Sequence, residues 1–269
     1  QNRALREFLA AVDESFNLQG YAGSGKTHLI SRFAERLNPQ RTLLLAQTGG
    51  QLQALKNRAG QHFPAMTFAQ AVAQVLDSNL LSNSWRLIDR ARGQYTWQVS
   101  HSQAAQWLNL PTIGALSPAQ VASICQRTVA SFCYSTASQI DVMHLPAGIA
   151  QHLSELDRAV LLEAVYQYWS ELLRPSEARI RLPIRGYHRI KLMSLTEEVL
   201  DPQYSHIIVD EAHDIPAPML QILDRSPQAV ITLSDELQNL TGMAPTRNAM
   251  IRQRYITQSV RLGKQVESL

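Results

Sequence analysis

The sequence predicts an α/β fold: an open parallel sheet with helices on both faces, interrupted by a mainly helical insertion. Three observations predict it. Short apolar runs alternate with segments of helical period over residues 1–78, the pattern of strands joined by crossover helices. From Asp77 to Arg174 the apolar spacing turns mostly helical, with no run of the parallel-strand type. The alternation then returns at Ser205.

In order, residues 1–15 read as a helix with Leu5, Phe8, Leu9 and Val12 on one face. Phe16-Asn17-Leu18 is a strand, followed by a glycine-rich loop and a helix from His28 to Leu37. Arg41 to Ala46 is nearly continuous and apolar, as a strand buried on both faces must be. A helix follows over Gln51 to Ala59, then a short strand over Pro64 to Phe68 and a helix over Ala69 to Leu76. In the insertion, Ser117-Pro118 is an N-cap followed by proline at the first helical position, leading into Ala119 to Cys133. Leu153 to Leu173 is a long helix that stops before Arg174-Pro175. Ser205 to Val209 is a strand closing on Asp210-Glu211, Pro218 to Leu223 a short helix, and Ala229 to Leu233 a strand closing on Ser234-Asp235. Tyr255-Ile256-Thr257 is the last strand. Residues 1–78 and 190–269 thus form two segments of one sheet domain, with 79–189 inserted between them.

The 269 residues are 45% apolar, enough for a substantial core, and 17% charged, with a formal net charge of +3. That charge is compatible with nucleic acid without requiring it. Cys125 and Cys133 are too few for a disulfide framework and fit no zinc spacing, so they read as buried thiols in a reducing compartment. Trp85, Trp97, Trp107 and Trp169 read as core packing. The histidines show no metal-ligating spacing. No apolar stretch reaches membrane-spanning length, and no signal peptide opens the chain, so the expected setting is cytoplasmic: bacterial cytosol or nucleoid, or the nucleus of a eukaryote. The abrupt start at Gln1 and stop at Leu269 suggest a portion of something longer.

Two motifs carry chemistry. Gly20-Tyr21-Ala22-Gly23-Ser24-Gly25-Lys26-Thr27 fits the P-loop pattern at every fixed position. Its glycines let successive backbone N–H groups turn inward around phosphates, and the helix behind adds its positive end. Gly20, Gly23, Ser24 and Gly25 shape the cradle, Lys26 reaches the β and γ phosphates, and the Thr27 hydroxyl suits Mg²⁺. The second is the apolar strand ending in Asp210-Glu211. Alone these are equally well two surface carboxylates. Downstream of a P-loop, Asp210 becomes a Mg²⁺ ligand and Glu211 a general base for water.

The run Asp210-Glu211-Ala212-His213-Asp214 resembles motif II of the UvrD-like helicases of superfamily 1, and the similarity continues in order. Gln1 suits the position of the adenine-reading glutamine. Ala46-Gln47-Thr48 resembles motif Ia, and Thr67-Phe68 the Thr-Phe of the next motif. Ser234-Asp235-Glu236-Leu237-Gln238 resembles motif III, and Thr257-Gln258-Ser259-Val260-Arg261 motif IV. Within the family, Tyr187 to Leu192 and Ile256 to Gly263 are similar to segments of the F-box DNA helicase type. The resemblance implies a RecA-like parallel sheet of the P-loop NTPase kind with a helical 1B-like insertion. It implies ATP and Mg²⁺ as cofactors, and Gln1 reading adenine. Lys26 and Glu211 would be catalytic, Gln238 would sense the γ-phosphate, and Arg261 would stabilise transferred charge. It further implies single-stranded or partly duplex DNA as partner, 3′ to 5′ movement, and a second motor domain beyond Leu269 that completes the hydrolytic site.

The sequence departs from the pattern in places. Ser234 replaces the glycine of motif III, and Leu240-Thr241-Gly242-Met243-Ala244-Pro245 lacks the aromatics that stack on bases. Ala69 stands where the family commonly has histidine. These changes bear on coupling to DNA and leave the phosphate-binding residues intact, so an ATPase switch or a helicase-like interaction module is the alternative reading. The stretch Arg179, Arg181, Arg185, Arg189 and Lys191, with Tyr187 and His188, reads either as a phosphate-contacting stripe or as a solvated rim. Arg247, Arg252 and Arg254 form a second such group.

Overall fold

A computed structural model describes residues 2–20, 24–78, 98–177, 179–234 and 251–256. Six strands form one wholly parallel sheet: β1 (Phe16–Gly20), β2 (Thr42–Ala46), β3 (Ala65–Thr67), β4 (His206–Val209), β5 (Ala229–Ser234) and β6 (Arg252–Ile256). Their spatial order is β3-β2-β4-β5-β1-β6. This is the α/β parallel sheet, flanked by helices, that the alternation of apolar runs predicts. The chain divides into two compact units, residues 1–72 with 197–269, and residues 73–196.

In the sheet unit, α1 (Asn2–Ala10), α2 (Lys26–Ala34) and α3 (Gly49–Ala59) contribute to one core with alternate strand residues. Phe8, Phe16 and Phe33 meet there with ring centroids 4.4–6.1 Å apart. Leu18, Leu44, Ile208, Ile231 and Leu233 complete the layer. Leu43, Leu45, Ile207, Val209 and Val230 are equally buried, and by the two-residue period of a strand they face the opposite side. Buried Asn17 accepts a 3.0 Å hydrogen bond from Thr232 Oγ1 at the β1–β5 pairing, satisfying both polar groups. Helix α4 (Phe68–Ser78) follows β3, and α10 (Ala217–Arg225) follows β4 with Met219, Leu220, Ile222 and Leu223 buried.

The second unit is helical: α5 (His101–Trp107), α6 (Pro118–Tyr134), the single turn α7 (Ile149–His152), α8 (Glu155–Leu173) and α9 (Gly186–Ser194). Ser117 caps α6 as its sequence implies. Its hydroxyl accepts from Gln120 N at 3.4 Å while Gln120 Oε1 accepts from Ser117 N at 2.8 Å. The core of this unit gathers Val121, Cys125, Val129, Phe132, Leu161, Val165 and Leu172, with Trp107 and Trp169 packed against it. Both thiols are unpaired and buried.

Two elements differ from expectation. Helix α1 ends at Ala10 rather than running to residue 15, because Ala11, Val12 and Asp13 form a turn, Glu14 a bend, and β1 starts at Phe16. The last strand begins at Arg252 rather than Tyr255. Its polar start belongs to an edge, since among the described residues it pairs with β1 alone.

Candidate nucleotide-binding site

The P-loop and the Asp-Glu pair arrive at the same edge of the sheet, the carboxyl ends of its strands, where open α/β sheets place their ligands. β1 carries the loop and β4 ends at Asp210, with β5 between them. Gly20 closes β1. A Cβ there would lie 2.8 Å from Ser24 Oγ and 3.1 Å from the Ile256 carbonyl oxygen, so a larger residue would have to displace the Ser24 side chain and press on the backbone of β6. Gly25 has φ 87°, the left-handed backbone that turns the loop into α2 and makes it the N-cap. The first N–H groups of a helix have no carbonyl of their own turn to bond, so the start of this 9-residue helix faces the loop as an anion site. The Lys26 ammonium donates to the Gly20 carbonyl across the loop. Thr27 lies in the first turn of α2.

At the end of β4, Asp210 is one-tenth exposed. Its Oδ1 accepts a 3.0 Å bond from the Glu211 N–H. Its Oδ2 accepts from the guanidinium of Arg58, at the last turn of α3. Glu211 itself has φ 55°, one of two positive-φ non-glycine residues among those described, a costly backbone that clusters at functional sites. Its carboxyl is pushed above the ordinary carboxylate range, chiefly by burial and also by the Asp210 charge, with His213, Arg58 and Lys26 acting the other way. Lys26 and Glu211 are therefore close enough to influence each other although one follows β1 and the other β4. Buried His213 stands 3.6 Å from Glu211 Oε2 and 3.5 Å from Asp214 Oδ2.

Arg58 was not foreseen. It also lines a cavity of about 270 Å³ with Ala46, Gly50, Leu55, Asp210 and Glu211. Nor was the link from Gln47, whose amide donates to the Asp214 carbonyl and ties the loop before α3 to the loop after β4. Thr48 then caps α3 in a reciprocal box with Gln51.

Residues 1–244 match the model of a family described as an AAA domain. The chain belongs to this family. The AAA domain in question is found in UvrD/Rep-type helicases. At that level the chain is a P-loop ATPase domain of the UvrD-like helicase type, and domains of this class generally bind ATP with Mg²⁺. The match does not reach the F-box subtype. No curated protein matches the chain.

The residues of this AAA domain fit that pair of groups. Asp210 supplies a hard carboxylate oxygen, and Mg²⁺ is ordinarily held by one or two carboxylates together with substrate phosphates. Among the described residues no three His, Cys, Asp or Glu side chains gather into a metal cluster of their own. Gln1, Gly23, Gln238 and Arg261 lie outside the described residues, as do Arg247, Trp85 and Trp97. No helix among the described residues is long and apolar enough to cross a membrane.

The basic groups resolve differently from a simple stripe. Lys191 is fully buried. Its ammonium donates to Ser135 O at 2.9 Å and Ala137 O at 2.5 Å and sits 4.2 Å above the Phe132 ring. It satisfies carbonyls just past α6 and takes no part in a phosphate-contacting surface, and His188 is buried beside it. Arg252 donates to Glu7 O at 2.6 Å and to Ala11 O, and pairs with Glu14 at 2.9 Å. Arg254 pairs with Glu7 at 3.3 Å. These two arginines hold α1 against the edge strand, and cations near the last carbonyls of a helix are favoured there.

Proposed function

We propose that this AAA domain is the ATP-binding N-terminal motor portion of an ATP-dependent DNA helicase or translocase acting on single-stranded or partly duplex DNA. The observation that carries the reading is the convergence of Lys26 and the strained Asp210-Glu211 pair at one edge of the sheet, from strands separated by β5. Backbone N–H groups of Gly23 to Thr27 and the Lys26 ammonium would hold the phosphates. Asp210 and the Thr27 hydroxyl would hold Mg²⁺, which when bound neutralises phosphate charge. Glu211 would orient the attacking water and accept its proton on the carboxylate. A carboxyl held above its ordinary range is a better proton acceptor near neutral pH. Gln1 would read adenine, Gln238 would report the γ-phosphate, and Arg261 would face the transferred charge. A second motor domain would complete the site.

The test is ATP turnover of the full-length protein with and without single-stranded DNA. Turnover rising with DNA is the expected result. Turnover indifferent to DNA removes the motor reading and leaves an ATPase switch or an interaction module, a reading that the aromatic-free stretch Leu240 to Pro245 favours. Lys26→Ala should abolish nucleotide binding, and intact binding would show the site to be wrongly assigned.

A further inference from the structure

We propose that Arg58 is a built-in counter-cation that competes with Mg²⁺ for Asp210, so that metal arrival at β4 releases the C-terminal end of α3. The inference rests on the nucleotide-site reading above. It starts from the hydrogen bonds of one carboxylate. Oδ1 of Asp210 is engaged by the Glu211 N–H. Oδ2, the oxygen turned toward α3, is engaged by Arg58. The carboxylate is one-tenth exposed and the guanidinium about one-third, so water screens this pair only partly. A guanidinium does not deprotonate in proteins. A divalent ion bonded to the same oxygen would stand within a few ångströms of it, and two cations so placed repel strongly where water is scarce. One of them has to move, and Arg58 is the one on a side chain long enough to leave.

The surroundings determine what that departure does. The N-terminal end of α3 is tied down by the capping box of Thr48 and Gln51 and by the bond from Gln47 to the Asp214 carbonyl. Arg58 ties the other end, as the penultimate residue of α3 and two positions before the Gly60 cap. The cavity of about 270 Å³ adjoins the guanidinium and is lined on the α3 side by Gly50, Gln51, Ala54 and Leu55, and its open volume gives the side chain room to swing. Losing the ion pair thus loosens one end of the helix while the other stays anchored. In Lys26, the loop has its own cation bonded to Gly20, so Arg58 is not a duplicate of the P-loop lysine.

The experiment uses the full-length protein and a fluorescent ADP analogue. Its dissociation constant is measured with excess Mg²⁺ and with EDTA, and the ratio of the two reports how much the metal helps. Arg58→Gln removes the competitor, which strengthens Mg²⁺-dependent binding, and bares Asp210 in EDTA, which weakens metal-independent binding. Both move the ratio upward, by roughly tenfold for the loss of one charged hydrogen bond. Arg58→Lys keeps a cation and should fall between. Hydrogen exchange supplies a readout independent of affinity: in the wild type, Mg²⁺ with ADP should speed exchange at Arg58 to Gly60, and in Arg58→Gln exchange should be fast from the start. A ratio that is unchanged or falls in Arg58→Gln overturns the proposal, the second case by making Arg58 a helper of the metal. If the wild type binds no ADP analogue, or Lys26→Ala binds it equally well, the nucleotide-site reading fails and takes this inference with it. Where Lys26→Ala alone loses binding, the ratio decides Arg58 by itself.

Discussion

Replacing Lys191 by methionine keeps the length and most of the volume of the side chain and removes its charge. In the helical unit that charge donates to Ser135 O at 2.9 Å and Ala137 O at 2.5 Å and lies 4.2 Å from the Phe132 ring centroid. A hydrogen bond from a charged group contributes about 1.5–3 kcal/mol, and a cation over a ring about 0.5–2 kcal/mol. Methionine recovers part of this because burying an ammonium is itself costly, and burial already pulls the Lys191 pKa down from its usual value. Two carbonyls would remain without their donor, and we expect a net loss of about 3 kcal/mol in this unit. Urea unfolding followed by tryptophan fluorescence isolates the effect, since all four tryptophans, Trp85, Trp97, Trp107 and Trp169, fall within residues 73–196. With a slope of about 1.5–2 kcal/mol/M the midpoint should drop by roughly 1.5–2 M. A midpoint within ~0.3 M of wild type would refute the argument. A second measurement guards against the rejected reading: a lysine on a phosphate contributes about −0.7 to the salt slope of single-strand binding, and Lys191→Met should leave that slope where it is.

Other outcomes follow from the same geometry. Gly20→Ala should fold yet lose nucleotide binding, because its Cβ would stand 2.8 Å from Ser24 Oγ and 3.1 Å from backbone at Ile256; binding within twofold of wild type would contradict the close approach. Burial pushes the Cys125 and Cys133 thiols up to about 12, so a thiol-reactive dye at pH 8 should label the native chain at least ~100-fold more slowly than the urea-unfolded one. The native state holds those protons longer than the unfolded state, so its stability should decline as the pH climbs above 9 toward 12, which a series of melting temperatures would show. Ser117→Ala removes the α6 cap and should cost about 1 kcal/mol by the tryptophan assay. Glu211→Gly should be more stable than Glu211→Gln by about 0.5–1 kcal/mol, since glycine takes φ 55° without the steric cost that glutamine, like glutamate, bears there; equal melting temperatures would mean that no strain is stored there.

How much of this was legible in the sequence depends on how far apart the cause and its signal lie. The strands β1, β2, β4 and β5 are apolar runs, and the P-loop and Asp210-Glu211 are local strings whose chemistry is carried by adjacent residues. The pair Arg58–Asp210 spans 152 residues and the Gln47–Asp214 link spans 167. No local pattern marks either one. Arg58 reads as an ordinary arginine in a last helical turn, where cations are favoured for unrelated reasons. Lys191 misleads for a different reason. A run of basic residues suggests a solvated face, but α9 buries His188, Ile190, Lys191 and Met193 together, and a lysine enters such a helix when carbonyls beyond a neighbouring helix end need a donor. The early start of β6 escaped because Arg-Gln-Arg is a poor strand by composition, and edge strands tolerate charge.

The sheet explains why the site divides into a rigid part and a releasable part. The spacing between the P-loop and Asp210 is set by two parallel pairings, Gln19 with Ser234 and Val209 with Thr232. A parallel register is hard to shift where both faces are buried, because a one-residue slip would send every side chain to the opposite layer. Here the Thr232 hydroxyl bonded to Asn17 pins β5 to β1 in the middle of that buried region, and a slip would strand both polar groups. Lys26 and Asp210 are therefore held at a spacing that nucleotide chemistry cannot easily alter. α3 is held to the same site by side chains rather than by a ladder: Gln47 at one end and Arg58 at the other. Of those, only Arg58 bonds to a carboxylate that a metal would also claim. A change in the occupancy of Asp210 thus acts on the α3 attachment before it acts on the strands, and the place to look for the first response to nucleotide is the turn of α3 from Lys56 to Gly60 rather than the sheet.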